Sequence, residues 1–240
     1  MNEAAPQTDV EFLRHLVNGT GDPQRTEAAL RALQADLTTF RLEYACGMEE
    51  VETKINILRR EFEQTHEYSP VEHVKTRLKS LDSLVDKMRR LNLPLDLGQV
   101  REQIRDIAGI RVTCAFVEDT YRFAQMLTRQ PDVTVLAVKD YIAHPKPNGY
   151  QSLHLIVQVP VFLSDRSVNV PVELQIRTIA MDFWASVEHR IYYKYDGAVP
   201  DHLREKLREV AVTASSLDAE MGGLRDEIKS LNLPPVTREV

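Results

Sequence analysis

A chain of 240 residues, 28% charged and 43% hydrophobic, has the composition of an ordinary soluble globular protein, long enough for one large domain or a core with helical extensions. Its net charge of −6 argues against a general nucleic-acid-coating protein, which would be basic. No apolar run approaches the roughly 20 residues of a membrane span, and Met1-Asn-Glu-Ala-Ala-Pro lacks the basic-then-apolar order of a signal peptide. Cys46 and Cys114 fall in a helical and a strand-like context, so they read as free thilos suited to a reducing cytoplasm rather than as metal ligands.

Residues 1–25 form a polar, variable N-terminal extension, with a short helix expected around Val10 to Val17 before Gly19, Gly21 and Pro23 interrupt the pattern. Residues 26–70 are a helical segment, with one long helix from about Thr26 to His66. Its apolar positions, Leu30, Leu33, Leu37, Phe40, Tyr44, Met48, Val51, Ile55, Leu58 and Phe62, step by threes and fours. Consecutive fours around Tyr44 read as a stutter, and Gly47 beside it is expected to loosen or bend the helix. Tyr68-Ser-Pro70 ends it.

Residues 71–198 are the core. Short apolar strands are expected at Val74 to Leu78, Ile107 to Phe116, Val133 to Ile142, Tyr150 to Phe162 and Ser167 to Ile176. Helices fall at Ser80 to Leu91, Glu118 to Arg129 and Thr178 to Tyr193. The class is α/β, of the α+β kind, with a mixed sheet of about five strands, flanking helices and long helices at both ends. Residues 199–240 carry a second long helix whose positions Leu203, Leu207, Val210, Ala214, Leu217, Met221, Leu224, Ile228 and Leu231 alternate four and three. A seam that narrow is expected to pack on the other long helix or on another subunit, the competing reading being that both helices cover the sheet.

Three features carry chemistry. Between Lys75 and Arg90 six cations (Lys75, Arg77, Lys79, Lys87, Arg89, Arg90) face two acids (Asp82, Asp86), a local excess that suits a compact polyanion or, more plainly, a solvated helix face. Asp106 in R-D-I-A-G-I-R-V and Glu173 in V-P-V-E-L-Q-I-R-T each adjoin an apolar strand. Strand alternation puts Glu173, Gln175 and Arg177 on one face, where they would be costly to bury without partners. Asp106 and Glu173 are therefore read either as ligands of one divalent cation from adjacent strands or as structural ion pairs, Glu173 with Arg177 or Arg111. Third, D-Y-I-A-H-P-K-P-N-G-Y-Q-S-L-H, from Asp140 to His154, is a proline-stiffened loop entering a strand, with Lys146, Asn148, Tyr150 and His154 aimed at a ligand. The chain has no G-x-x-x-x-G-K-[ST] and no G-x-G-x-x-G opening a helix, which excludes a P-loop and leaves dinucleotide binding unsupported.

Taken in order, R-D-I-A-G-I-R-V, the Asp140–His154 loop, and V-E-L-Q-I-R-T followed by M-D-F-W-A-S-V-E-H closely resemble the RelA/SpoT-type (p)ppGpp synthetases over about residues 70–230. The chain is similar to the stand-alone small alarmone synthetases, without the hydrolase and regulatory domains of the long members. The resemblance implies a nucleotidyltransferase-like sheet with residues 71–198 as the synthetase core, and transfer of pyrophosphate from ATP to the 3′-hydroxyl of GDP or GTP, with GMP a further acceptor, releasing AMP. It makes Asp106 and Glu173 the catalytic and Mg²⁺-binding pair, Glu173 also acting on the ribose hydroxyl as base or orienting group. Arg77, Lys79, Lys87, Arg90 and Arg111 become the ATP-binding set, Arg77 and Arg111 around the adenine. Lys146, Asn148, Tyr150, His154, Gln175 and Arg177 become the guanine-nucleotide set, Tyr150 stacking on the base. It further implies a cytoplasmic homotetramer built through the C-terminal helix. Single-stranded RNA is a partner that no feature of the sequence supports. In the product-activated members an aromatic residue and a threonine precede the ATP-binding arginine; His73 and Lys75 stand there instead, which counts against that route. The rival readings are a relative with a changed acceptor, an adenine nucleotide or the 3′ end of tRNA, and a silent nucleotide- or RNA-binding regulator.

Overall fold

The structure, a computed structural model, describes residues 23–66, 68–94, 96–194 and 199–231. The expected helix at Val10 to Val17 lies outside the described residues. In chain order the elements are α1 (Pro23–Thr65), β1 (His73–Leu78), α2 (Leu81–Arg90), α3 (Leu97–Gln103), β2 (Ala108–Cys114), α4 (Val117–Thr128), β3 (Thr134–Asp140), β4 (Leu153–Phe162), β5 (Ser167–Thr178), α5 (Ile179–Lys194) and α6 (Asp201–Ser230). The strands form one five-stranded sheet in the order β1-β2-β5-β4-β3, mixed as expected. β2 and β5 run parallel and the other neighbours antiparallel, with a register shift in β3 between Val135 and Ala137.

The alternation of β4 separates the two faces. Leu153, Leu155, Val157, Val159 and Val161 are buried, while His154, Ile156 and Gln158 are only half-buried. The apolar face receives α1, whose Phe40, Tyr44, Val51 and Ile55 join the main core with Phe123 and Leu127 of α4. The seam of α1 from Leu37 onward is thus spent on the sheet, so the competing reading holds for this helix. Gly47 is part of that packing and leaves α1 unbroken: a Cβ there would lie 2.5 Å from Val170 Cγ1. Glycine is needed at Gly47 for close approach to β5, and the expected bend is not its role.

Helix α3 has no counterpart among the sequence expectations. Seven residues are too few to show a period, and Pro94 and Gly98 around it read as turn residues. It forms because Asp96 Oδ1 accepts from Gly98 N at 2.7 Å, Val100 is fully buried, and Arg101 pairs with the buried Glu43 of α1. Arg166, in the turn between β4 and β5, reaches the other oxygen of Glu43 at 3.1 Å, and Arg101 lies 4.8 Å from the centre of the Phe40 ring. Tyr150 also differs from expectation, because β4 begins at Leu153 and leaves Tyr150 in the loop.

Helices α5 and α6 pack as a pair beside the loop. Trp184 Nε1 donates to Leu207 O at 2.8 Å, and Trp184, Ala185 and Ala211 form a second small core with Tyr150 and Leu207 against it. Thr178 Oγ1 accepts from Met181 N at 3.1 Å, capping the start of α5, and donates to the buried Asp218 of α6 at 2.6 Å. The rest of the α6 seam is not consumed: Val210, Leu217, Met221, Leu224, Ile228 and Leu231 are exposed. No described helix is long and apolar enough to cross a membrane.

The Gly47 contact makes a test. Alanine in a helix ordinarily gains about 0.5–1 kcal/mol over glycine, but overpacking a stiff, buried valine costs about 1–3 kcal/mol. Gly47→Ala is therefore expected to lower the unfolding free energy, measured by urea titration; a gain in stability would remove the close-approach role.

Candidate active site

Two strand ends and one loop assemble the site. Strands β1 and β2 pair until Leu78 faces Ala108, and Lys79 N extends the ladder by donating to Ile107 O at 2.8 Å. That register sets Lys79 beside Asp106, and Lys79 Nζ lies 2.7 Å from Asp106 Oδ2. Helix α2, capped by Ser80 and buried through Leu84, Val85 and Met88, brings Lys87 to the same carboxylate, with Nζ 2.7 Å from Oδ1. Each oxygen of Asp106 is thus met by one ammonium group. Burial alone would raise the pKa of Asp106, but the two ammonium groups outweigh it and hold the carboxyl below its usual range.

The parallel pairing of β2 with β5 then places Gly109 opposite Glu173 and Arg111 opposite Gln175. Arg77, Lys79, Arg90, Asp106, Arg111, Glu173 and Gln175 line a single cavity of about 750 Å³, so the two acids and most of the expected ATP set do converge. Lys75 and Asp86 also border it. Arg77 sits opposite Gly109 and Arg111 opposite Lys75, so the two arginines are diagonal neighbours across the β1–β2 pair. The Arg111 Nε is buried without a partner, a donor free for a ligand acceptor. Burial and the nearby Arg177 push the pKa of Arg111 down, with Asp182 opposing them.

The acceptor-side residues divide into cavity and frame. Glu173, Gln175 and Arg177 share a face of β5 as alternation requires, and His154 of β4 stands opposite Gln175. Glu173 pairs with neither arginine. Its Oε1 faces His154 Nδ1 at 3.4 Å and its Oε2 accepts from Gln175 Nε2 at 3.1 Å. Burial raises its pKa, yet the contacts from His154 and Gln175 bring it below the usual range. Arg177, at 4% exposure, does not line the cavity; it pairs with Asp182 at 3.2 Å and donates to Tyr150 Oη at 2.6 Å and to Gln175 Oε1 at 3.0 Å. The expectation that Arg177 lines the ligand pocket is corrected: it is a buried support beneath it.

The loop itself is braced. Lys146 N donates to Tyr150 O at 3.1 Å and Gly149, at φ 90°, donates to Lys146 O at 2.8 Å, closing the turn that Asn148-Gly149 signals. Asn148 Oδ1 accepts from Tyr150 N at 3.2 Å, and Asn148 Nδ2 donates to Glu188 Oε1 at 3.1 Å. Asn148 is thus engaged in shaping the loop. Lys146 Nζ lies 4.6 Å from the centre of the Tyr141 ring and 4.7 Å from that of Tyr150. Lys146 also borders a second cavity, about 440 Å³, between the loop and α6, and belongs with the loop rather than with the larger cavity.

Sequence reasoning missed Asp182 and Glu188. One oxygen of Asp182 meets Arg177 at 3.2 Å and Arg111 at 3.1 Å, joining β5 to β2. Both acids lie on α5, where M-D-F-W-A-S-V-E-H signals only a helix; the adjoining unmatched cations were the one available hint.

The arrangement has the parts for nucleotide chemistry: a cationic wall for phosphates, one carboxylate at the entrance of β2 and one within the neighbouring β5, and an aromatic loop beside them. Comparisons with known proteins agree. Residues 76–198 match the family described as a region found in RelA / SpoT proteins. The chain is 43% identical over 199 residues to the GTP pyrophosphokinase YwaC of Bacillus subtilis, spanning 83% of this chain and 95% of that one. It is 39% identical over 190 residues to the GTP pyrophosphokinase YjbM of the same organism, 79% of this chain and 89% of that one. Its fold superposes on the crystal structure of small alarmone synthetase 1 from B. subtilis bound to its product pppGpp with a TM-score of 0.75 and 38% identity, over 80% of this chain and 98% of that one. The chain belongs to the RelA/SpoT family and groups with its small alarmone synthetases.

Proposed function

We propose that this chain is a (p)ppGpp synthetase, an ATP:GTP 3′-pyrophosphotransferase of stringent-response signalling. The observation that carries the reading is the single cavity in which Asp106 and Glu173 face Arg77, Lys79, Arg90 and Arg111. In the reaction the 3′-hydroxyl oxygen of GDP or GTP, or of GMP, bonds to the β-phosphorus of ATP. The bond from that phosphorus to the α–β bridging oxygen breaks, and AMP leaves with it. Such a transfer needs in-line placement and charge neutralisation more than covalent help.

The residues divide the work. Arg77 and Arg111, planar and permanently charged, can hold adenine between them, while Lys79, Lys87 and Arg90 meet the phosphates. Tyr150 stacks on guanine, with Lys146 and Asn148 beside it, and His154 and Gln175 face the acceptor ribose and phosphates. Glu173 orients the 3′-hydroxyl and accepts its proton as the bond forms. The donor set suits Mg²⁺: Asp106 and Glu173 are hard oxygen ligands that line one cavity. No cluster of three potential ligands occurs among the described residues, so phosphate oxygens and water would complete the shell. Bound there, the ion would neutralise phosphate charge and polarise the transferred group.

The exposed apolar row on α6, Val210, Leu217, Met221, Leu224, Ile228 and Leu231, supports assembly of subunits into a homotetramer. The nucleotide substrates support a cytoplasmic location.

Incubation with Mg²⁺, labelled ATP and GMP, GDP or GTP is expected to yield 3′-pyrophosphorylated guanine nucleotide and AMP, and EDTA to stop it. Label entering tRNA or adenine nucleotides instead would overturn the reading. Glu173→Gln should keep the fold and bind both nucleotides while kcat falls about 10²–10⁴-fold; near-normal turnover would strip Glu173 of its role. Light scattering should give a mass of more than one chain per particle, and a clean monomer would sink the assembly argument.

A further inference from the structure

The hydrogen bonds around Arg177 have a direction that starts from the arginine. A guanidinium only donates. Arg177 Nη2 lies 2.6 Å from Tyr150 Oη, so the phenol oxygen accepts there and its own proton is left for another partner. The acceptor in reach of that proton is His154 Nε2, 2.7 Å away. A neutral imidazole has one donor and one acceptor nitrogen, so a ring accepting at Nε2 carries its proton on Nδ1. Nδ1 is the atom that faces Glu173 Oε1, at 3.4 Å.

The same nitrogen of Arg177 starts a second path. It lies 3.0 Å from Gln175 Oε1, which fixes the amide with its oxygen toward the arginine. The amide nitrogen is then turned the other way and donates to Glu173 Oε2 at 3.1 Å. Both oxygens of the carboxylate thus receive a donor, and both donors are oriented from one atom. Arg177 is itself held by Asp182, whose Oδ1 meets Nη1 at 3.2 Å and the Arg111 guanidinium at 3.1 Å.

We infer that Arg177 is a positioning residue that orients Glu173 through two parallel donor relays, one through Tyr150 and His154 and one through Gln175, and that it thereby sets the Nδ1–H tautomer of His154. The inference deepens the proposed synthetase reading, on which the role of Glu173 rests. A lysine could keep the charge but not the geometry, because one ammonium nitrogen cannot reproduce a planar fork that serves Asp182 through one nitrogen and both relays through another. Substitution at such a supporting position typically costs about 10- to 100-fold.

The tautomer can be read without any turnover. Nitrogen-15 spectra of histidine-labelled protein, with the His154 signals assigned through His154→Gln, should show a proton on Nδ1 and a bare, hydrogen-bonded Nε2. In Tyr150→Phe, which keeps the aromatic ring, that preference should be lost. An Nε2–H or doubly protonated ring in the unsubstituted protein, or an unchanged Nδ1–H ring in Tyr150→Phe, overturns the relay. Arg177→Lys, confirmed folded by circular dichroism, should lower kcat about 10- to 100-fold with the KM for ATP changed less than threefold; unsubstituted turnover in that variant also overturns it. If no guanine product forms in any assay while the tautomer pattern is as stated, the synthetase reading fails and the relay geometry stands.

Discussion

The parallel pairing of β2 with β5 is the constraint from which the site follows. Parallel neighbours begin and end at the same edge of a sheet, so the residues entering β2 and those along β5 lie side by side. With Ala108 opposite Val172, Gly109 is set opposite Glu173 and Arg111 opposite Gln175, and Asp106, just ahead of β2, lines the same cavity as Glu173. Strand β1 adds Arg77 and Lys79 from one flank and β4 adds His154 from the other. A one-residue slip between β2 and β5 would turn one set of polar groups to the wrong face, where α1 packs. The apolar face locks the register: Ile110, Val112, Val172, Leu174 and Ile176 are all essentially inaccessible.

Concentrating so much charge on one sheet face creates a cost that the structure meets by pairing rather than by exposure. An isolated buried guanidinium or carboxylate is strongly disfavoured, and removing one partner leaves the other unsolvated. Asp106 is met by two lysines, Glu173 by a histidine and an amide, and Arg177 by Asp182. The group left unmatched is Arg111 Nε, on a cavity-lining residue. Tyr44, Asp119 and Arg225 also hold unmatched buried atoms, away from this cavity. At the site, then, the unsatisfied capacity is a donor, which an acceptor atom of a nucleotide would complete.

What could be read from the chain beforehand was whatever has a period or a local signature. Alternation gave β4 and β5 and the shared face of Glu173, Gln175 and Arg177, and Asn148-Gly149 marked the turn. Boundaries at loop junctions slipped, as at Tyr150, because an apolar ring beside a strand looks the same to a pattern whether or not the ladder includes it. Helix α3 escaped because its stability is tertiary, resting on Glu43 more than fifty residues away. The same holds for Asp182 and Glu188. Nothing in a helical stretch says that its acids will turn inward toward arginines on two strands and an asparagine on a loop. Gly47 shows the converse error, a residue whose local meaning, a weak point in a helix, differs from its tertiary one, a gap left for Val170.

The loop that would choose the base depends on packing as much as on its own residues. Two helices hold it from one side. Glu188 of α5 grips Asn148, and Ala211 of α6 sits where a Cβ on Gly149 would be, only 2.5 Å from that position. Positive φ at Gly149 and the contact with Ala211 act together, so a side chain there would be strained by its backbone and displaced by the helix at once. Helix α6 is in turn fixed to the sheet through the buried Asp218–Thr178 hydrogen bond and to α5 through Trp184. Its outward, adjoining face carries the exposed apolar row. One helix therefore has two jobs on two faces, and any surface that covers the outer one bears on the element that keeps Tyr150 beside Arg177. In this way the Asp140–His154 loop, although a loop, is placed by rigid elements, which is what a site selecting among nucleotides would require.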